Sequence, residues 1–135
     1  MESSAANPSL APFATERTCI LVVEDEMLIR MLLSDGLRDE GYRVIEACDG
    51  DEALVILDTV APDLIISDVR MPGSLDGLGL LAVVKRNLPD LPVIITSAHL
   101  GSENALLQGA TQFVPKPYTM RLVLEAVQSG LANGP

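Results

Sequence analysis

A chain of 135 residues fits one domain able to bury roughly two thirds of its unfolded surface; with 48% hydrophobic and 21% charged residues, no Trp and only four other aromatics, its core is built from Leu, Ile, Val, Met and Ala. The net charge of −10 argues against direct contact with nucleic acid, where affinity comes from Lys and Arg neutralising phosphates. No apolar run approaches the roughly 18 residues that span a bilayer and no basic-then-apolar leader opens the chain, so no membrane partner is expected and the expected location is cytoplasmic.

Residues 1–17, "MESSAANPSLAPFATER", are rich in Ser, Ala, Asn and Pro without periodicity and read as a flexible N-terminal tail. The single domain is expected over 18–131, with 132–135 as a C-terminal tail. Short apolar runs at Cys19–Val23, Arg43–Ala47, Leu64–Ser67, Val93–Ser97 and Gln112–Pro115 read as strands. The inner ones are too continuously apolar to have a wet face, as in a parallel sheet covered on both sides. Between the strands lie helical segments. Residues 27–39 space Ile29, Leu33 and Leu37 four apart and stop at Gly41. Segment 51–60 carries Ala53, Leu54 and Leu57; segment 77–87 carries Leu78, Leu81, Ala82 and Lys85. Segment 101–109 is small and polar, the weakest of the set. In 119–130, Leu122, Val123, Ala126 and Val127 recur, with Thr119 as the expected N-cap. Cys19 and Cys48 have neither metal-ligand spacing nor the number of a disulfide framework and read as reduced thiols.

Five alternations of strand and helix predict an α/β fold: a doubly wound five-stranded parallel sheet of flavodoxin-like order 2-1-3-4-5, with helices on both faces. In such a sheet ligands bind beyond the carboxyl ends of the strands, where the order switches between the first and third strands. Glu24 and Asp25 leave the first strand there, and Asp68 leaves the third. Two unit charges about 4 Å apart repel by roughly 4 kcal/mol at an effective dielectric near 20, so three converging carboxylates call for a cation. Carboxylates with retained waters are what Mg²⁺ prefers. Ser97 ends the fourth strand and Lys116, between Pro115 and Pro117, ends the fifth. A hydroxyl, a lysine and a metal around a carboxylate are the parts that stabilise a phosphoryl group on an aspartate. Pro115 also suggests that the fifth strand lies at the sheet edge.

These residues resemble the receiver domain of two-component response regulators, from about Thr18 to Leu131. The resemblance rests on "VVEDE", "SDVRMPG" followed by "LDGL", "TSA" and "KPY", each after a strand. It implies Asp68 as phosphoacceptor; Mg²⁺ held by Asp25, Asp68 and the backbone carbonyl of Arg70, with Glu24 acting through water; Ser97 and Lys116 on the phosphoryl group; Ser97 and Phe113 as switch residues; and a cis Lys116–Pro117 peptide. The implied donor is a histidine kinase or histidine phosphotransferase. The implied output is a protein met through the face formed by 101–109, the fifth strand and the last helix, with a phosphorylation-dependent homodimer as a further partner. No enzyme is implied beyond Mg²⁺-dependent self-phosphorylation from a donor and slow autodephosphorylation. "GSL" at Gly73–Leu75 is one residue longer than the commonest form, Ser97 stands where Thr is more frequent, and Phe113 lacks the hydroxyl of Tyr.

Three other classes compete with this reading. A flavin carrier would need a glycine- and hydroxyl-rich phosphate loop where this chain has "EDE". A haloacid dehalogenase-like phosphatase would want an acid where Arg70 stands. The alternative reading is a receiver-fold binding module that acts without phosphorylation. His99, the only histidine, reads as a solvated loop residue.

Overall fold

The apolar runs pair as their lack of a polar face requires. In the computed structural model, which describes residues 17–98, 106 and 108–132, β1 (Cys19–Val23), β2 (Arg43–Ala47), β3 (Leu64–Asp68), β4 (Val93–Ser97) and β5 (Gln112–Pro115) form one parallel sheet in the order β2-β1-β3-β4-β5. β1, β3 and β4 are buried at every position. Successive side chains point to opposite faces, and two separate cores follow. Ile20, Val22, Leu64, Ile66, Ile94 and Val114 pack on one side with Leu33, Leu37, Val123 and Val127. Leu21, Val23, Ile65, Val93 and Ile95 pack on the other with Ala53, Leu80, Leu81 and Val84.

The helices are α1 (Met27–Asp39), α2 (Gly50–Leu57), α3 (Gly77–Asn87) and α4 (Met120–Ala132). The first core places α1 and α4 on one face, and the second places α2 and α3 on the other. α1 ends as Gly41 suggested, in a left-handed residue (φ 97°) with the Tyr42 N–H bonded to the Leu37 carbonyl. Thr119 caps α4, its hydroxyl accepting the Leu122 N–H at 3.2 Å. α2 starts one residue earlier than expected and stops at Leu57. Its start is a reciprocal capping box: Asp49 accepts the Glu52 N–H at 2.8 Å, and the Glu52 carboxylate accepts the Cys48 N–H. The core stripe of α3 is Leu80, Leu81 and Val84, with Leu78 half-buried and Ala82 exposed. The last helix runs to Ala132, beyond the expected domain end at 131. The expected tails at 1–16 and 133–135, and most of the helix expected at 101–109, lie outside the described residues.

The longer loop before α3 leans on α2. Gly73 takes φ 97°, and the Ser74 hydroxyl donates to both carboxylate oxygens of Asp51, at 3.1 and 3.2 Å. Asp76 then caps α3 by accepting the Gly79 N–H at 2.8 Å. α3 begins hard against the end of β3: a Cβ on Gly77 would lie 2.0 Å from the Asp68 carbonyl oxygen, a backbone atom that cannot turn aside. Gly36 meets only the flexible tip of Met120, at 2.6 Å. Gly77→Ala is therefore expected to cost about 1–3 kcal/mol of folding stability through overpacking. Gly36→Ala should be near neutral, since helix propensity favours Ala by about 0.5–1 kcal/mol. Urea midpoints of the two variants check the ranking; equal midpoints would contradict it.

Candidate functional site

The switch point of the sheet lies between β1 and β3, and the sequence-selected acids meet there. One carboxylate oxygen from each of Glu24, Asp25 and Asp68 lies within 4.8 Å of the others, the one such cluster of metal-ligating residues among those described. Glu24 is 2% exposed, Asp68 is buried and Asp25 is half-exposed. Glu24 extends the sheet by one rung, its N–H donating to the Ala47 carbonyl at 3.0 Å. The Asp68 carboxylate is fixed by the Val69 N–H, which donates to Oδ1 at 2.8 Å.

Lys116 enters the same pocket from the end of β5. Its Nζ donates to Glu24 Oε1 at 2.9 Å and stands 3.2 Å from Asp68 Oδ2. Part of the charge relief that three acids demand thus comes from the chain itself. The Lys116–Pro117 peptide is cis, and the Lys116 N–H bonds to the Ser97 carbonyl at 3.0 Å, so β5 keeps its pairing up to the lysine. Burial raises the Glu24 carboxyl above its ordinary range, the Lys116 and Glu26 hydrogen bonds pull it back, and the Asp68 charge adds to the rise. For Lys116, burial lowers the ammonium's value, but Glu24 and Asp68 outweigh it and hold it above the usual lysine range.

Ser97 is buried at the end of β4, one position past the Thr96 that pairs with Asp68. Arg70 is exposed two residues after Asp68 and lines an open depression with Asp25, Met71, Pro72 and Asp76. Phe113 is not at the pocket: it lies half-buried in β5, opposite Ile95, packed on the second core. His99 lies outside the described residues. Two residues at the pocket's border escaped sequence reasoning, Arg30 and Glu46. Arg30 donates to the Glu24 carbonyl at 2.8 Å and to Glu46 Oε1 at 3.2 Å. An arginine in a helix and a glutamate in an edge strand carry no pattern that would single them out.

A family model for the response regulator receiver domain matches residues 20–128. The chain belongs to the response regulator receiver family. Its similarity extends to the DNA-binding transcriptional regulator NtrC of Salmonella typhimurium, 36% identical over 121 residues that cover 87% of this chain and 26% of that protein. The nitrogen assimilation regulatory protein NtrX of Azorhizobium caulinodans is 42% identical over 110 residues, covering 78% and 24%. Among solved structures, the receiver domain of NtrX from Brucella abortus superposes with a TM-score of 0.78 at 40% identity, covering 85% of this chain and 99% of that one. This receiver spans about a quarter of the length of the two curated relatives. Its sheet order is the flavodoxin-like one of receiver folds. No helix among the described residues is long and apolar enough to cross a membrane.

Lys116→Met would leave the buried Glu24 carboxylate without its largest downward pull. Glu24 already holds its proton more tightly folded than unfolded, so its contribution to stability is fully present below its ordinary value of 4.5 and is lost as pH rises to the raised value. Loss of the ammonium moves the upper end of that window higher. The variant should therefore lose about 3 kcal/mol at about pH 7.5 and clearly less near about pH 5. Urea denaturation in EDTA at both pH values tests this, and an equal loss at both would rule out Glu24 as the titrating group.

Proposed function

We propose that this receiver takes a phosphoryl group onto Asp68 from a histidine kinase or histidine phosphotransferase and, so modified, changes which proteins it binds. The observation that carries this reading is the setting of the Asp68 carboxylate: at a strand end, held by a backbone N–H on one oxygen and by the Lys116 ammonium on the other, beside two further acids. Such a carboxylate is a preoriented nucleophile. The P–N bond to the donor histidine breaks as the P–O bond to Asp68 forms, and the imidazole nitrogen keeps the electron pair. Lys116 stands where negative charge gathers on the phosphoryl oxygens, and Ser97 is the hydroxyl residue at the adjoining strand end.

The pocket's three carboxylate oxygens are hard donors close enough together for one small cation, and Mg²⁺ fits that chemistry. Asp25, Asp68 and the Arg70 carbonyl would hold it, with Glu24 acting through water. When bound, the ion neutralises charge on the transferring group. Because attacking and leaving atoms must lie in line, the donor has to cover the rim of the pocket. That rim continues into an apolar surface of α1, where Met27, Leu28, Met31 and Leu32 are 64%, 66%, 45% and 64% exposed. Leu32 also lines, with Ala98, Lys116, Pro117 and Tyr118, a groove running up to the lysine. We assign this surface to the phosphoryl donor. The output surface is a separate face carried by β5 and α4, where Phe113 and Leu122 border one groove; the expected contribution of 101–109 lies largely outside the described residues. The same face would carry a phosphorylation-dependent homodimer. The free thiols Cys19 and Cys48 accord with a cytoplasmic place of action.

Incubation with acetyl phosphate and Mg²⁺ should add one phosphoryl group to the intact mass, and none to Asp68→Asn; no gain in the wild type would overturn the proposal. A double Met31→Ser, Leu32→Ser variant should accept phosphate from acetyl phosphate at the wild-type rate but from a phosphohistidine donor at least about tenfold more slowly. Equal slowing with both donors would remove α1 from the docking surface.

A further inference from the structure

We infer that Arg30 is a positioning residue for the acidic pocket, acting through the Glu24 carbonyl, and that Glu46 sets the position of Arg30. The inference rests on the metal-binding reading above and extends it to two residues outside the pocket.

The acid loop is the three-residue bridge Glu24, Asp25 and Glu26 between β1 and α1. The sheet holds only its first N–H, through Ala47. The Glu24 carbonyl, past the last β1 rung, is taken by Arg30 Nη1 at 2.8 Å, while Arg30 Nε reaches Glu46 Oε1 at 3.2 Å. A guanidinium presents its N–H groups in a rigid fork. One arginine therefore spans a carboxylate on β2 and a backbone carbonyl at the root of the loop. Glu46 is held in turn, its second oxygen accepting Arg38 Nη2 at 3.0 Å. At the far end of the loop, the Glu26 carbonyl accepts the Arg30 N–H at 2.9 Å and the Glu26 N–H donates to Glu24 Oε2 at 3.1 Å. Asp25 thus sits between a carbonyl that the Arg30 side chain holds and a residue, Glu26, tied by backbone groups to α1 and to the Glu24 carboxylate. The arginine and Glu46 are both largely buried, with side chains 18% and 28% exposed.

Charge and geometry predict opposite signs. If Arg30 acted only through its charge, a cation beside a cation site would oppose metal binding, and Arg30→Met would tighten it. If Arg30 holds the loop, Arg30→Met weakens binding, as loss of partners behind metal ligands typically does by about 10–100-fold. Arg30→Lys separates the two effects, since a single ammonium keeps the charge without the fork. Arg38→Met is the control: it also strips Glu46 of an arginine but makes no contact with Glu24.

The test is a Mg²⁺ titration by calorimetry on the whole chain, with urea denaturation in EDTA to confirm that each variant folds. Expected are Arg30→Met at least about tenfold weaker than wild type, Arg30→Lys weakened in the same direction, and Arg38→Met within about twofold. Unchanged or tighter binding in Arg30→Met overturns the inference. Should Arg30→Met fail to fold, Glu46→Gln removes the charge that holds the guanidinium, with a smaller weakening expected and no weakening overturning it. Amide hydrogen exchange in EDTA gives a readout free of metal. The Glu26 N–H should exchange at least about tenfold faster in Arg30→Met than in Arg38→Met. Equal rates overturn the inference, even if the wild type itself binds no Mg²⁺, a result that would instead sink the metal-site reading.

Discussion

The ammonium of Lys116, placed between Glu24 and Asp68, is the contact on which the arrangement of the pocket depends. β5 carries the lysine at one edge of the sheet, and β1 carries Glu24 on the far side of β3 and β4. The lysine therefore closes the upper rim of the sheet across the two strands between them. Without it two buried carboxylates would face each other at the switch point, the costly case of charges taken out of water and left unpaired. With it, a cation sits between the Glu24 and Asp68 carboxylates. The same ammonium serves two carboxylates held differently: Glu24 is locked by four polar contacts of its backbone and side chain, whereas the Asp68 carboxylate has the Val69 N–H besides the ammonium.

Everything beneath the pocket serves to hold the strand ends in place. Because β1, β3 and β4 are buried on both faces, each strand feeds both cores, and neither core can shift without the other. Interiors packed at crystal-like density transmit such shifts instead of absorbing them. Gly77 brings α3 onto the Asp68 carbonyl itself, so the second core reaches Asp68 through backbone atoms alone. On the other side Arg30 brings α1 onto the Glu24 carbonyl through a side chain. The two acids are thus held from opposite layers of the molecule.

Much of this was legible in the chain. Continuous runs such as "LIIS" read as two-sided strands, the alternation pointed to a doubly wound sheet, and the order 2-1-3-4-5 brought Glu24, Asp25 and Asp68 together. The capping box at Asp49 and Glu52 was readable from its spacing and was overlooked. The counter-ion role of Lys116 toward Glu24 was not readable, because residues 92 positions apart in sequence meet only through the assembled sheet. The stripe of Ile29, Leu33 and Leu37 on α1 was legible from its spacing, although Met27, Leu28, Met31 and Leu32 make the helix apolar nearly all round and its outward side ambiguous. Leu33 and Leu37 are buried with Ser34, while Leu28 and Leu32 point to solvent. In α3 the run "LGLLAVV" posed the same ambiguity, resolved in favour of Leu80, Leu81 and Val84.

The Val69 N–H is divided. It donates at 2.8 Å to the Asp68 carboxylate and at 3.2 Å to the Thr96 carbonyl on β4. A shared proton makes its two acceptors competitors, and the stronger base draws it. An ionised carboxylate is the stronger of the two and an acylated or esterified one is not. Whatever chemistry occupies the Asp68 oxygen therefore shifts that proton toward the backbone of β4, the strand that leads directly into Ser97. One backbone proton thus links the Asp68 carboxylate to the neighbouring strand.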